Sequence, residues 1–162
     1  MRPITPADND SVKAIILRVL GEYGCVGPGY ASNDSETQVM STAYDGQTGQ
    51  YWVVEDPKTG DVLGGGGFAR LKGTQVHDGI AELQKLYFLP QLRGQGVGQA
   101  LLHHCVHMAR RCGYTTLYAE TVPHMHTAIA LYQKAGFLPV ENPLGCTGHA
   151  ERCTARYVLA LT

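Results

Sequence analysis

A chain of 162 residues, 44% hydrophobic and 17% charged, has the size and composition of one globular domain that buries its own core without staples. A formal net charge of −1 and a pI near 6.6 exclude the global basic field expected of a protein built to bind nucleic acid or an anionic membrane surface. Five cysteines without a C-x-x-C pair read as reduced thiols of a cytoplasmic protein, not as a disulfide framework. The apolar stretch SVKAIILRVL is interrupted by Lys13 and Arg18, is too short to span a membrane, and has no small-residue cleavage site after it.

In chain order, apolar residues at Val12, Ile15, Ile16, Val19 and Leu20 give a helical period from about Pro6 to Leu20, ended by Gly21 and Gly24. From Cys25 to Gln50 the pattern dissolves into a polar segment carrying Asp34, Glu36 and Asp45, with room for a short helix near Thr37 to Tyr44. YWVVED, PKTGD and VLGGGGFARL read as a hairpin turning at Pro57 and Gly60. The four glycines Gly64 to Gly67 suggest a bulge or a close approach of another backbone or a ligand, with a flexible turn as the plain alternative.

AELQKLYFLP, Ala81 to Pro90, is a strand stopped by proline. A helix over Val97 to Cys112 buries Leu101, Leu102, Cys105, Met108, Ala109 and Cys112, and Arg110, Arg111 and Gly113 mark its end. YTTLYAET is the next strand, TAIALYQKAG a short helix stopped at Gly136, and FLPV and CTARYVLAL two final strands. The alternation predicts an α/β domain around a mixed sheet.

Between the proline-stopped strand and the long helix runs LRGQGVGQ. A tight glycine turn opening a helix presents unpaired backbone N–H groups and the positive end of the helix dipole to an anion. Glycine lets that anion approach without a Cβ in the way, and Arg93 adds a forked positive charge. Two common phosphate motifs fail here: G-x-G-x-x-G meets Gln99 or Leu101 at its third glycine, and no G-K-[S/T] exists for a P-loop. A sharp strand-to-helix turn is the plain alternative.

The loop has a companion downstream. Gln91–Arg93 through Gly98 resembles the R/Q-x-x-G-x-G/A motif of the GNAT superfamily of N-acetyltransferases, and AIALYQKAGF, Ala128 through Phe137, resembles its A-x-x-L-Y-x-K-x-G-F segment. The resemblance implies a single-domain GNAT-like fold spanning residues 1–162, with a mostly antiparallel mixed sheet of six to seven strands flanked by about four helices. It implies acetyl-CoA as co-substrate, its pyrophosphate on Gly94, Gln95, Gly96, Val97, Gly98 and Gln99 beside Arg93, and its pantetheine arm against the backbone of Leu86, Tyr87 and Phe88. It implies acetyl transfer to a primary amine of a small molecule or peptide by direct attack in a ternary complex, and self-association as a homodimer. A non-catalytic acyl-CoA-binding module of the same fold, and an unrelated nucleotide-binding domain, are the competing readings.

Attack by an amine with a pKa near 10 requires a base, and the departing thiolate requires a proton. The resemblance puts Tyr132 at the general-acid position. Glu82 and Glu120 both match positions where relatives carry a base. Strand alternation puts Glu82 on one face with Gln84, Leu86 and Phe88, where apolar neighbours would raise its pKa, so Glu82 ranks first. Met125 stands where the family often has an asparagine. The resemblance implies an acceptor pocket built from about Cys25–Gln50 and Glu141–Arg152; Asp34, Glu36 and Asp45 in the first segment would suit a cationic amine, with solvated loop acids as the plain alternative.

No metal is expected. Cys146, His149 and Cys153 match no common zinc spacing, and His103 and His107 read as a solvated helix face. Cys105 reads as core packing and not as a nucleophile.

Overall fold

A computed structural model describes residues 1–44, 46 and 48–161; Asp45, one of the acids noted in the sequence, lies outside the described residues. The strands are β1 (Arg2–Pro3), β2 (Gly49–Glu55), β3 (Val62–Arg70), β4 (Ile80–Phe88), β5 (Thr116–Thr121), β6 (Leu138–Pro139) and β7 (Ala155–Ala160), and the α-helices are α1 (Asn9–Glu22), α2 (Met40–Ala43), α3 (Val97–Arg111) and α4 (His126–Lys134). They form one seven-stranded sheet in the order β1-β2-β3-β4-β5-β7-β6. Every neighbouring pair is antiparallel except β4 and β5.

Each face of the sheet is covered by its own apolar cluster. Val12, Ile16 and Leu20 of α1, with Met40 of α2, pack on Tyr51 and Val53 on one side. Leu101, Leu102, Cys105 and Ala109 of α3, with Tyr132 of α4, pack on Phe68, Ala81, Leu83 and Leu117 on the other. The buried stripe of α1 is the one its 3.6-residue period predicts. In α3 the stripe ends one turn early: Cys112, expected on the buried side, caps the helix and is exposed.

One strand escapes sequence reading. β1 has two residues and no pattern of its own; it is held by pairing with Val53 and Trp52 and by Arg2, which reaches Asp8 at 2.7 Å and Glu55 at 2.8 Å. That contact holds the Asp8 carboxyl at about 2.

The four glycines of β3 are explained by what lies over them. On one face Phe88 covers Gly64 and Leu86 covers Gly66; on the other Tyr51 covers Gly65 and Gly67. A Cβ at Gly67 would stand 2.8 Å from Tyr51 Cα and 2.9 Å from Tyr51 Cδ2, inside contact distance. The pairing with β4 shifts at the same place: Gly67 faces Gln84 and Gly65 faces Tyr87, so Gly66 faces both Lys85 and Leu86. Lys85 takes φ 52°, the sole described non-glycine residue with a left-handed backbone. Both readings offered for the glycines, bulge and close approach, therefore hold.

The bulge changes which side chains share a face. Ala81, Leu83, Leu86 and Phe88 pack in the α3 core, whereas Glu82 and Gln84 turn to the α2 side with Tyr87. Simple alternation had put Glu82 with Leu86 and Phe88. That grouping is wrong because the extra residue inverts the period after Gln84.

Candidate active site

The parallel pairing of β4 with β5 is short, covering Ile80 with Thr116, Ala81 with Leu117 and Glu82 with Tyr118. Beyond Glu82 the two strands part, and the β4 edge facing β5 has no strand partner from Leu83 to Phe88. Open backbone of this kind must find hydrogen bonds elsewhere, which is what an extended ligand arm with amide groups supplies.

Glu82 sits at the fork. It is 5% exposed, and its Oε2 accepts a 2.6 Å hydrogen bond from Gln84, whose own amide oxygen accepts from the Tyr44 hydroxyl at 2.7 Å. Burial pushes the Glu82 carboxyl up to about 7, against the Gln84 hydrogen bond and with help from the nearby charge of Glu120. The raised pKa expected from the sequence is present, but its apolar surroundings come from the depth of the fork and not from Leu86 and Phe88.

Glu120 stands two residues beyond Tyr118 on β5, its side chain 2% exposed. Its Oε2 accepts from the Tyr118 hydroxyl at 2.9 Å, and Oε1 lies 3.7 Å from His149 Nδ1 without a hydrogen bond. His149 Nε2 in turn is 2.9 Å from Asp34, which also takes the Lys85 ammonium at 2.5 Å. Burial alone would raise the Asp34 carboxyl; His149 and Lys85 outweigh it and hold it at about 2. The Asp34 hydrogen bond raises the His149 imidazole above its ordinary value, against burial.

These groups line a cleft between the fork, the segment after α1 and the segment before β7, the two regions mapped to the acceptor from the sequence. The two described acids of the first segment are not free: Asp34 is engaged by Lys85 and His149, and Glu36 by Lys72. His149 is the residue that sequence reasoning missed. Its sequence neighbours Cys146 and Cys153 suggest only a metal ligand; among the described residues no group of three or more His, Cys, Asp or Glu could hold a metal ion.

At the far end of β4 the chain turns through Pro90–Leu92 into α3. The N–H groups of Gly94, Gln95, Gly96, Val97, Gly98 and Gln99 make no hydrogen bond to any described group. Gly94 at φ 74° and Gly96 at φ 78° aim them, with only open space where a Cβ would stand. The residues fit a pyrophosphate. Arg93 stands at the lip, its Nε donating to the Phe88 carbonyl at 2.8 Å and its Nη2 2.7 Å from Glu22 at the end of α1.

Tyr132 is buried between Phe137 and Tyr157, with ring centroids at 5.6 and 5.9 Å. It does not line the cleft. Burial raises its pKa far above neutrality, so it stays protonated. Cys105 is fully buried, its thiol pushed up to about 12 by burial, as a packing residue should be. His103 and His107 are exposed.

The profile of the Acetyltransferase (GNAT) family matches residues 24–137, a span containing the fork, the glycine turn and α4. The chain belongs to that family. It is an acyltransferase by membership. It is 39% identical over 162 residues to the uncharacterized N-acetyltransferase YjgM of Escherichia coli (strain K12), covering 99% of this chain and 94% of that relative. In fold it is similar to an acetyltransferase of the GNAT family from Staphylococcus aureus Mu50, with a TM-score of 0.83 at 16% identity over 99% of this chain and 97% of the other. It is also similar to yncA of Salmonella typhimurium, solved with its cofactor acetyl-CoA, with a TM-score of 0.73 at 22% identity over 99% and 92%. The seven-stranded, mostly antiparallel sheet with four helices is the GNAT-like α/β fold expected from the two motifs. Among the described residues no helix is long and apolar enough to cross a membrane.

Proposed function

We propose that residues 1–162 form a single N-acetyltransferase domain that moves the acetyl group of acetyl-CoA to a primary amine of a small molecule or peptide by direct attack in a ternary complex. The observation that carries this reading is the buried Glu82 carboxyl, held near pH 7 at the fork where β4 and β5 part. A base poised near the working pH combines a useful ionised fraction with enough basicity to take a proton from an ammonium.

When bound, acetyl-CoA supplies the acyl group as an activated thioester. The free N–H groups of Gly94 through Gln99, with Arg93, hold the pyrophosphate end, and Arg93 exchanges its partner Glu22 for phosphate oxygens. The unpaired β4 edge at Leu86, Tyr87 and Phe88 takes the amide-bearing arm as an added strand. A backbone N–H on that edge polarises the thioester carbonyl. Glu82 accepts a proton from the amine, whose lone pair then attacks. Tyr132, protonated throughout the neutral range, donates to the departing sulfur. The odd number of cysteines in the sequence favours a cytoplasmic location, and the resemblance a homodimer, which sedimentation tests.

Calorimetric titration of acetyl-CoA into the wild type and into Gly98→Glu tests the reading. Gly98 has ordinary helical φ and room for a Cβ at van der Waals distance from Phe88, 3.4 Å, so the variant keeps its backbone while placing a negative side chain against the pyrophosphate. Wild-type binding lost in the variant is the expected result. Absence of wild-type binding would leave the glycines as a turn and remove the enzyme reading.

A further inference from the structure

The inference deepens the acyltransferase reading above and rests on it: it names what the cleft accepts. The cleft holds four carboxylates, Asp34, Glu36, Glu82 and Glu120, and three cations, Lys72, Lys85 and His149. The cations are already engaged, Lys72 with Glu36 and both Lys85 and His149 with Asp34. Arg156, the β7 residue opposite Glu120, does not line the cleft and gives its guanidinium to the Glu141 and Ala150 carbonyls at 2.8 and 2.6 Å. Arg156 Nε is without a partner but is buried outside the lining, so among the cleft's described residues a carboxylate on the acceptor would find every cation already paired.

A positive group would find an unpaired oxygen waiting. Glu120 Oε1 is buried in a side chain 2% exposed and has no hydrogen bond, although His149 Nδ1 is 3.7 Å away. A buried carboxylate oxygen without a donor costs stability, and a carboxylate can only accept. Across the fork stands Glu82, the proposed base, whose own strand partner is Tyr118, two residues before Glu120. The remaining walls are largely apolar, from Leu20, Tyr30, Tyr87, Val122 and Met125.

We propose that the acceptor binds as an ammonium ion anchored by Glu120 Oε1, and that it is a primary amine on an apolar body with no carboxylate beside the nitrogen. Only about one in a thousand such amines is neutral at pH 7, so a site that binds the protonated form draws on nearly all the substrate. The anchored ammonium gives one proton to Glu82: an N–H bond breaks, an O–H bond forms, and the nitrogen lone pair is released towards the thioester. Two N–H bonds remain: Glu120 holds one into the amide product, and the other breaks as the tetrahedral adduct collapses, its proton replacing the one that Tyr132 gives to the departing sulfur.

The test is a matched pair of probes, 2-phenylethylamine and L-phenylalanine, which differ only in the carboxylate, assayed with acetyl-CoA. The expected kcat/KM favours 2-phenylethylamine by about 100-fold or more, the cost of desolvating an unpaired charge. Glu120→Gln should raise KM for 2-phenylethylamine by about 10- to 100-fold, the loss of one charge-assisted hydrogen bond, with kcat changed much less and acetyl-CoA affinity kept. Glu120→Asp should recover part of the loss. Calorimetry on the wild type loaded with coenzyme A, comparing 2-phenylethylamine with 3-phenylpropanoate, needs no variant and should show binding of the amine alone. Equal or better use of L-phenylalanine, a kcat loss at unchanged KM in Glu120→Gln, or acetyl-CoA binding with neither amine accepted would overturn the assignment. Failure to bind acetyl-CoA at all would instead remove the acyltransferase reading on which it rests.

Discussion

The Tyr51 hydroxyl crosses β3 to donate to the Lys85 carbonyl at 3.0 Å, bridging strands β2 and β4 over a track of glycine. The bond ends on the left-handed residue of the bulge, and it is possible because Gly65 and Gly67 put no side chain in the way of the Tyr51 ring. The bulge in turn sets Lys85 towards Asp34 and turns Glu82 and Gln84 away from Leu86 and Phe88. The glycines of β3 thus shape the cleft from one strand away.

Gly67→Ala should destabilise the fold by roughly 1–3 kcal/mol, because the added Cβ meets the Gln50 carbonyl and the Tyr51 backbone, which cannot swing aside. At roughly 2–4 °C per kcal/mol for a chain of this length, the melting temperature should fall by several degrees. Differential scanning calorimetry checks this, and an unchanged Tm would mean that the strands slide apart at no cost.

Glu82→Gln should separate activity from stability. As the base, Glu82 must be ionised, so kcat/KM should rise with pH through about 7 in the wild type. The variant should lose about 10²–10⁴ in kcat together with that inflection. Stability should move the opposite way. The unfolded carboxyl ionises near 4.3 and the folded one near 7, so the buried group weakens the fold progressively over that window and by a constant amount above it. Glu82→Gln should therefore melt higher than the wild type at pH 8. A variant that is less active and also less stable would point to a structural role.

Asp34 and His149, 115 residues apart in the chain, clasp the two loops over the cleft. The folded His149 pKa lies above its ordinary value of about 6.5, so this contribution is complete below that pH and fades as pH rises through the raised value. Asp34 is depressed to about 2, so its share is present above about 3.9 and is lost as pH falls through 2. Comparing wild-type and His149→Gln melting temperatures from pH 5 to pH 9 should show the largest gap near pH 5, narrowing towards pH 9. A gap that stays constant would assign the effect to packing.

Tyr132→Phe should lower kcat by about 10² or more, the usual effect of removing a positioned acid, while acetyl-CoA affinity stays within about twofold. The ring contacts with Phe137 and Tyr157 survive the change, so the melting curve should barely move. Stopped-flow detection of thiol release gives the rate directly, and an unchanged kcat would remove Tyr132 from the chemistry.

Local chemistry was enough to place much of this protein. The 3.6-residue period of Val12 to Leu20, the proline after Phe88 and the glycines at Gly94 and Gly96 each act within a few residues, so the helices, the β4 stop and the glycine turn into α3 are legible from the chain alone. The GNAT family was likewise legible, because its two motifs are each contiguous. What the tertiary structure alone decided depends on residues that meet across long stretches of chain. The two-residue β1 exists only through its pairing with β2. The face on which Glu82 lies is set by a bulge that Tyr51 and the β3 glycines stabilise from neighbouring strands. Whether Asp34 and Glu36 present free charge, and whether His149 is a ligand, a bystander or a clasp, was settled by Lys72 and Lys85 reaching the two acids and by Asp34 meeting His149 across 115 residues of chain. Charge pairing and burial are long-range properties; periodicity and turn chemistry are not, and that difference divides what the sequence could determine here from what it could not.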